Sequence, residues 1–354
     1  MTDSKPSLLR RGLRGAWALL DFTRRAILNL LLLALIGGLL WLWLKPGAPT
    51  LKPKTALVLD ISGNLVEQRN SLGVREQVLG QAQGHDREQT RLRDVLAVLD
   101  AAAKDDKISH AVLISDDLGA GSLPALREVA QALERFKAAG KPVYAWGSEY
   151  NQRSYFLAAH ATEVWLHPMG SVYIEGYGRY RTYYKDLFDK VGVTANVVRA
   201  GKYKNAAETY TANGPSPETL ESEGAVWNTL WASYTGAVEK ARKQPAGSMA
   251  AAIESLPGSL EAAQGNIGRW ALQRKWVDAL KTRDEMRALL IDKGAEDKDN
   301  KTFQQVSLGS YLARIKPRTD GDAVGVIVAQ GSISDGRAGP GSIGVIGQIG
   351  RAHV

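Results

Sequence analysis

Few of the usual chemical constellations are open to this chain. It has no cysteine, which excludes a thiolate zinc site, an iron–sulfur cluster, a cysteine nucleophile and a disulfide scaffold. Its histidines, His85, His110, His160, His167 and His353, show no paired ligand spacing, so no metal site is expected. No Gly-x-Ser-x-Gly elbow and no Walker loop occur, and Gly119-Ala-Gly121 and Gly176-Tyr-Gly178 read as turn glycines. Asp116-Asp117 follows an apolar run and reads as a solvated loop. One segment stands apart, Val197-Val-Arg-Ala-Gly201-Lys202-Tyr203-Lys204-Asn-Ala206-Ala207-Glu208. It sets two lysines two residues apart beside uncharged neighbours. If the stretch is extended they share a face, and either amine could do the chemistry.

The elements that must position such a group read as α/β. The chain has 354 residues, 44% of them hydrophobic, enough for a tail plus two domain-sized units and too apolar for wholesale disorder. Ala56 to Ile61, Ala111 to Ile114, Pro142 to Trp146, Val164 to Leu166 and Thr194 to Arg199 are strand-like runs. Between them, Leu92, Val95, Leu96 and Leu99, then Leu126, Val129, Leu133 and Phe136, have helical spacing; Ser122 is a cap and Gly140 a stop. Such alternation predicts parallel strands with crossover helices. Residues 216–292 read as mainly helical, with Trp227, Leu230 and Tyr234 on one face, and Asp297 to Lys301 as an exposed charged turn.

The net charge of +8 is unevenly placed. Lys5, Arg10, Arg11, Arg14, Arg24 and Arg25 face only Asp3 and Asp21 in the first 25 residues, so half the excess lies there. That points to a membrane surface and not to nucleic acid. Ala26 to Leu44 follows without a charge, roughly 28 Å as a helix, with Trp41 and Trp43 at its far end. The basic bias puts the N-terminus in the cytoplasm and everything past residue 45 across the membrane. A cleaved signal peptide would need a shorter apolar region and a small-x-small site, whereas Leu42-Trp-Leu-Lys-Pro46 follows here. The expected organisation is a basic tail (1–25), an anchor (26–44), a Pro-rich linker (45–54), an α/β module (55–215) and a mainly helical connector (216–321).

A second module is expected to begin at 322–348, because Val324 to Ile333 echoes the pattern of Ala56 to Leu65 at an offset of 268. The last six residues, Ile349-Gly-Arg-Ala-His-Val354, match one reading frame of a common sequencing-adapter oligonucleotide. The expectation is therefore that the end is non-native and that the natural C-terminal half is missing.

The lysine segment resembles the motif of the signal peptide peptidase A family, also called protease IV, in which a Gly-x-Tyr-Lys-(small/polar)-Ala-x-Glu run carries a general-base lysine. Asn213-Gly-Pro-Ser-Pro217 is similar to that family's turn into a helical region. Together with the anchor, linker and second-module echo, the resemblance covers nearly the whole chain and favours the long, two-module form. It implies a crotonase/Clp-protease-like α/β module with a helical insertion, and a serine endopeptidase with a Ser/Lys dyad in which Lys204 is the base and Lys202 the competing candidate. Such a base must be neutral, so burial has to pull its pKa well below about 10.4. Tyr203, Ala206 and Ala207 are suited to wall it from water.

The resemblance places the family's serine at Asn151-Gln152-Arg153-Ser154 of this module, where Gln152 is no nucleophile and Ser154 is displaced by two positions. The oxyanion turn falls near Gly119-Ala-Gly121-Ser122. The first module then looks like a lysine donor, and the nucleophile is expected at roughly residues 400–420, so this chain as it stands should be inactive. The resemblance further implies a bacterial inner-membrane protein with its catalytic domain in the periplasm. It would act on signal-peptide remnants and other hydrophobic peptides as a homo-oligomer of four chains, without a cofactor. Two other readings are a non-catalytic anchored scaffold and, less consistent with an exported domain, an acyl-CoA enzyme of the crotonase fold.

Overall fold

A computed structural model describes residues 8–44, 51–69 and 89–315, with residues 322, 325, 332–334 and 342–344. The chain divides into two compact units, residues 1–50 and 51–354. The described residues of the first form one helix, α1 (Leu8–Leu44). Its stretch Leu20–Trp41 is long and apolar enough to cross a membrane, and the side chains from Ile27 to Trp41 are exposed. Asp21 pairs with Arg24 and Arg25 at 2.9 and 2.7 Å. Helical backbone therefore begins well before the uncharged run, inside the stretch expected to be a tail.

The second unit alternates strands and helices. In order it contains β1 (Thr55–Asp60), β2 (Asn64–Val66), β3 (Gln89–Arg91), α2 (Leu92–Ala102), β4 (Ile108–Ile114), α3 (Leu123–Ala138), β5 (Val143–Gly147), β6 (Tyr150–Asn151) and α4 (Gln152–Ala158). Then follow β7 (Glu163–Leu166), β8 (Val172–Tyr173), α5 (Lys185–Val191), α6 (Glu208–Thr211), α7 (Pro217–Ala241), α8 (Ser248–Glu254), α9 (Leu256–Ala262) and α10 (Ile267–Gln273). The remaining elements of the body are β9 (Ala279–Leu280), α11 (Arg283–Lys293), β10 (Glu296–Asp297), β11 (Thr302–Phe303), β12 (Gln305–Ser307) and α12 (Leu308–Leu312). Six strands form the main sheet in the order β12-β1-β4-β5-β7-β9, with every neighbouring pair parallel. The α/β class expected from the sequence is what the chain adopts.

Parallel strands covered on both faces need continuous apolar runs, and the period-two pattern of Cβ directions sorts them. Leu57, Leu59, Ala111, Leu113, Val143, Ala145, Val164 and Leu166 belong to a large core with the inner faces of α2, α3 and α4. Ala56, Val112, Tyr144, Trp146 and Trp165 belong to a second cluster with Met286 and Leu290 of α11 and with Phe303. Helix α3 starts where Ser122 Oγ accepts from the Ala125 amide at 3.3 Å, and it stops before Gly140, whose φ is +83°. Phe136 on its inner face is fully buried. Phe136→Ala is expected to cost about 3–5 kcal/mol, read as a lower urea midpoint at unchanged slope.

The region expected to be a connector supplies β9 and β12, two strands of the main sheet. Residues 194–199 depart from expectation. They are not a strand; no described strand pairs with them, and Val197 and Val198 are exposed. β-branched residues make such a run strand-like, but propensity alone forms no ladder without a strand to pair with. Of the charged stretch Asp297 to Lys301, Asp297 ends β10 and 298–301 form the exposed turn into β11. Of the second-module echo, Ser332–Ser334 and Ser342–Gly344 are described, as a parallel pair of short strands. Most of 324–329, and the whole of 349–354, lie outside the described residues.

Candidate active site

The lysine segment folds as a tight turn before α6. Gly201 has φ of +97°, a conformation that favours glycine, and its carbonyl accepts from the Lys204 amide at 3.2 Å. The Asn205 amide donates to Tyr203 O at 3.1 Å and the Glu208 amide to Asn205 O at 3.0 Å. Lys204 is exposed, and its ammonium has no hydrogen-bond or ion-pair partner among the described residues. Lys202 is engaged. Its Nζ lies 4.6 Å from the Tyr203 ring centroid and 3.9 Å from Glu221 Oε2, and Glu221 Oε1 accepts from Tyr203 Oη at 3.0 Å. Tyr203 and the Glu221 carboxylate push the Lys202 pKa up, which keeps it protonated.

Tyr203, Ala206 and Ala207 were expected to wall Lys204 from water. Within this chain they do not, since Tyr203 and Ala206 are themselves exposed. The turn stands away from the sheet, next to α5, which buries no residue at all. In the chain before it Tyr180, Leu187, Val191, Val193, Val197 and Val198 are exposed as well.

The turn is nevertheless tied down from below. Glu208, 7% exposed, accepts from the Ser216 amide at 3.0 Å and from Thr219 Oγ1 at 2.7 Å. Asn205 Nδ2 donates to the same Thr219 oxygen at 3.0 Å. Ser216 caps α7 through the Thr219 amide at 3.3 Å, with Pro217 in the first turn. Burial pushes the Glu208 carboxyl up. The hydrogen bonds from Ser216 and Thr219 and the nearby Arg181 outweigh it, and the net direction is below the usual carboxylate range.

The place where this module would hold a serine nucleophile is occupied by a structural clasp. Gln152 Nε2 donates to Gly176 O at 3.2 Å and its Oε1 accepts from the Gly176 amide at 2.7 Å. Ser154 is 1% exposed, with Oγ donating to Asn151 O at 3.1 Å, inside the cap that Asn151 makes on α4. Both side chains are thus engaged within the fold. At Gly119-Ala-Gly121 the Gly119 amide donates to Gly63 O at 2.7 Å and the Ala120 amide to Asn64 Oδ1 at 2.9 Å. Both amides are thus spent on the segment after β1. A Cβ on Gly119 would approach Asn64 Oδ1 to 2.9 Å, so the turn admits only glycine without rearrangement.

Sequence reasoning missed one feature nearby. Asp116 accepts from both the amide and the hydroxyl of Ser148, at 3.0 and 2.9 Å, tying the loop after β4 to the one after β5. Nothing local in Asp116-Asp117 distinguishes this from a solvated loop, because the partner lies 32 residues away. Among the described residues no group of three or more histidines or carboxylates could hold a metal.

Residues 135–295, which include the lysine turn, match the model of peptidase family S49. The chain is 30% identical over 337 residues to protease 4 of Salmonella typhi, covering 94% of this chain and 54% of that protein. Residues 135–295 thus fall in the S49 family, and the chain as a whole is similar to the protease 4 proteins. Protease 4 of Haemophilus influenzae is 29% identical over 345 residues, covering 92% of this chain and 54% of its own length. The chain thus spans about half the length of these curated S49 relatives. Among solved structures, a membrane-bound stomatin-specific protease covers 73% of this chain at 10% identity and a TM-score of 0.34. At so low a score the α/β class rests on the six parallel strands themselves.

Proposed function

We propose that the full-length gene product is a membrane-anchored serine endopeptidase with a Ser/Lys dyad, in which Lys204 is the general base and the nucleophile lies beyond residue 354. The observation that carries this reading is the difference between the two lysines. Lys202 is held charged by Glu221 and Tyr203, whereas Lys204 stands unpaired on the motif turn.

In the proposed reaction, neutral Lys204 Nζ takes the proton of a serine hydroxyl as its oxygen attacks the scissile carbonyl. The resulting ammonium gives that proton to the departing amine, which leaves an acyl-enzyme. Lys204 then activates the water that releases the acid. For this the amine must leave water. The exposed Tyr180, Val191, Val197, Val198 and Tyr203, in the segment that leads to it, are suited to contribute to a low-dielectric wall once another segment or another copy covers them. Such a surface also fits hydrophobic peptides, which is the reason to favour signal-peptide remnants as substrates.

A body tethered by α1 on the outer side of the inner membrane meets those peptides in two dimensions. A four-chain assembly is part of the same reading, and no cofactor enters it. For topology, a periplasm-dependent reporter fused after residue 50 should be active and a cytoplasm-dependent one silent; the reverse pattern would remove the export part of the proposal. For the activity itself, the full-length protein should cleave a hydrophobic peptide that residues 1–354 alone leave intact. Cleavage by residues 1–354 alone would contradict the placement of the nucleophile.

A further inference from the structure

Glu208 is a buried carboxylate at the start of α6, directly after a largely exposed turn. Gly201, Lys202, Tyr203, Lys204 and Ala206 are all exposed, yet four residues past Lys204 the chain turns a charged group inward. Burying a carboxylate is unfavourable unless its oxygens are satisfied, and here both are, by Ser216 N at 3.0 Å and Thr219 Oγ1 at 2.7 Å. Thr219 Oγ1 is the node of the network. It donates to Glu208 and receives Asn205 Nδ2 at 3.0 Å and Ser216 Oγ at 3.1 Å. Two fixed points therefore follow Lys204, Asn205 directly after it and Glu208 one turn on. Both are fastened to the first turn of α7.

We propose that Glu208 is a positioning residue for Lys204, acting through Thr219 as a clasp that fixes the lysine turn to the start of α7. This rests on the reading of Lys204 as the base. An amine that stands in solvent within this chain must meet a hydroxyl supplied from elsewhere. An error of about 1 Å in such a pair is enough to cost about 100-fold in rate. The clasp supplies the fixed backbone from which the flexible lysine stem reaches.

The charged groups facing Glu208 and its surroundings come from three elements. Arg179 and Arg181 lie on the chain before α5, with Arg181 Nη2 at 2.6 Å from Glu223 Oε1. Glu218, Glu221 and Glu223 lie on α7, and Lys202 and Lys204 on the turn itself. The competing explanation is that Glu208 only caps α7, since a carboxylate near a helix N-terminus is stabilising in its own right.

The test uses the full-length protein and its Lys204→Ala, Glu208→Gln, Thr219→Val and Thr219→Ser variants. The measurements are kcat and KM on a fluorogenic hydrophobic peptide from pH 6 to 10, together with the melting temperature. The clasp predicts that Glu208→Gln and Thr219→Val lower kcat about 10- to 100-fold with KM nearly unchanged. It also predicts that the rising limb of kcat moves to higher pH, as a loosened Lys204 regains water. Thr219→Ser, which keeps the hydroxyl, should recover most of the rate. A role confined to capping would lower the melting temperature and leave the limb in place. That result, in a folded Glu208→Gln with Lys204→Ala inactive, overturns the proposal. If Glu208→Gln does not fold, Thr219→Val is read against the same two outcomes. Full activity in Lys204→Ala would instead overturn the base assignment, whatever Glu208 does.

Discussion

Lys204→Ala in the full-length gene product is expected to lower kcat by about 10²- to 10⁴-fold while leaving folding and assembly unchanged. The size follows from losing the only proposed proton acceptor of the reaction. Folding should be spared because the Lys204 ammonium makes no hydrogen bond or ion pair among the described residues and its side chain is exposed. Lys204→Arg should be equally inactive, since a guanidinium stays protonated at any working pH. Lys202→Ala is the control. Its loss breaks a 3.9 Å contact with Glu221, and activity should stay within about threefold, the range of an exposed ion pair. Steady-state kinetics on a peptide substrate separate these outcomes, and comparable losses in Lys202→Ala and Lys204→Ala would remove the distinction between the two amines.

The body should also lose stability in mild acid through His110. This residue of β4 is 2% exposed, and its ring lies 5.6 Å from Tyr144 in an edge-on arrangement. Its Nδ1 is 2.9 Å from Ser109 Oγ, while Nε2 is buried with no hydrogen-bond partner among the described residues. Burial, with a smaller contribution from Lys293, lowers its pKa from 6.5 to about 4. Lys293 is itself held charged close by, with Nζ 4.8 Å from the Tyr144 centroid and 3.7 Å from Glu163. Because the folded state resists a proton that the unfolded chain accepts near pH 6.5, stability is full above that pH. It declines as the pH falls from 6.5 toward 4. The whole window is worth roughly 3 kcal/mol, of which about 2 should be lost between pH 7 and pH 5. His160, buried under α3 and α4, is shifted in the same direction and adds to the trend. Urea midpoints measured across that range should slope downward in the parent and flatten in His110→Phe. An identical slope in both would show that His110 is not the group responsible.

How far the sequence anticipated the structure depends on the range over which each feature is determined. The α/β alternation was legible because β1, β4, β5 and β7 are apolar runs bounded by turn residues and because α3 carries its own cap and stop, Ser122 and Gly140. Strands β9 and β12 were not. They are two and three residues long, Ala279–Leu280 and Gln305–Ser307, too short for any periodicity, and exist because a sheet edge is there to pair with. Residues 194–199 are the converse, strand-like in composition and unpaired in the fold. At the candidate site, the motif singled out the turn and the helix entry, since Ser216-Pro217 is a local capping signal. The local sequence does not encode that Glu208 would be buried beneath Lys204, because the burial comes from Thr219 and the packing of α7. The same limit hid the Asp116–Ser148 tie and the clasp between Gln152 and Gly176.

The central claim is that Lys204 activates a hydroxyl that residues 1–354 do not contain. The most direct measurement treats the full-length protein with a fluorophosphonate that tags activated serines, then maps the tagged peptide by mass spectrometry. The account predicts one tagged serine C-terminal to residue 354, with tagging abolished in Lys204→Ala and retained in Lys202→Ala. A tag on a serine within residues 1–354, such as Ser154, or undiminished tagging in Lys204→Ala, would contradict it.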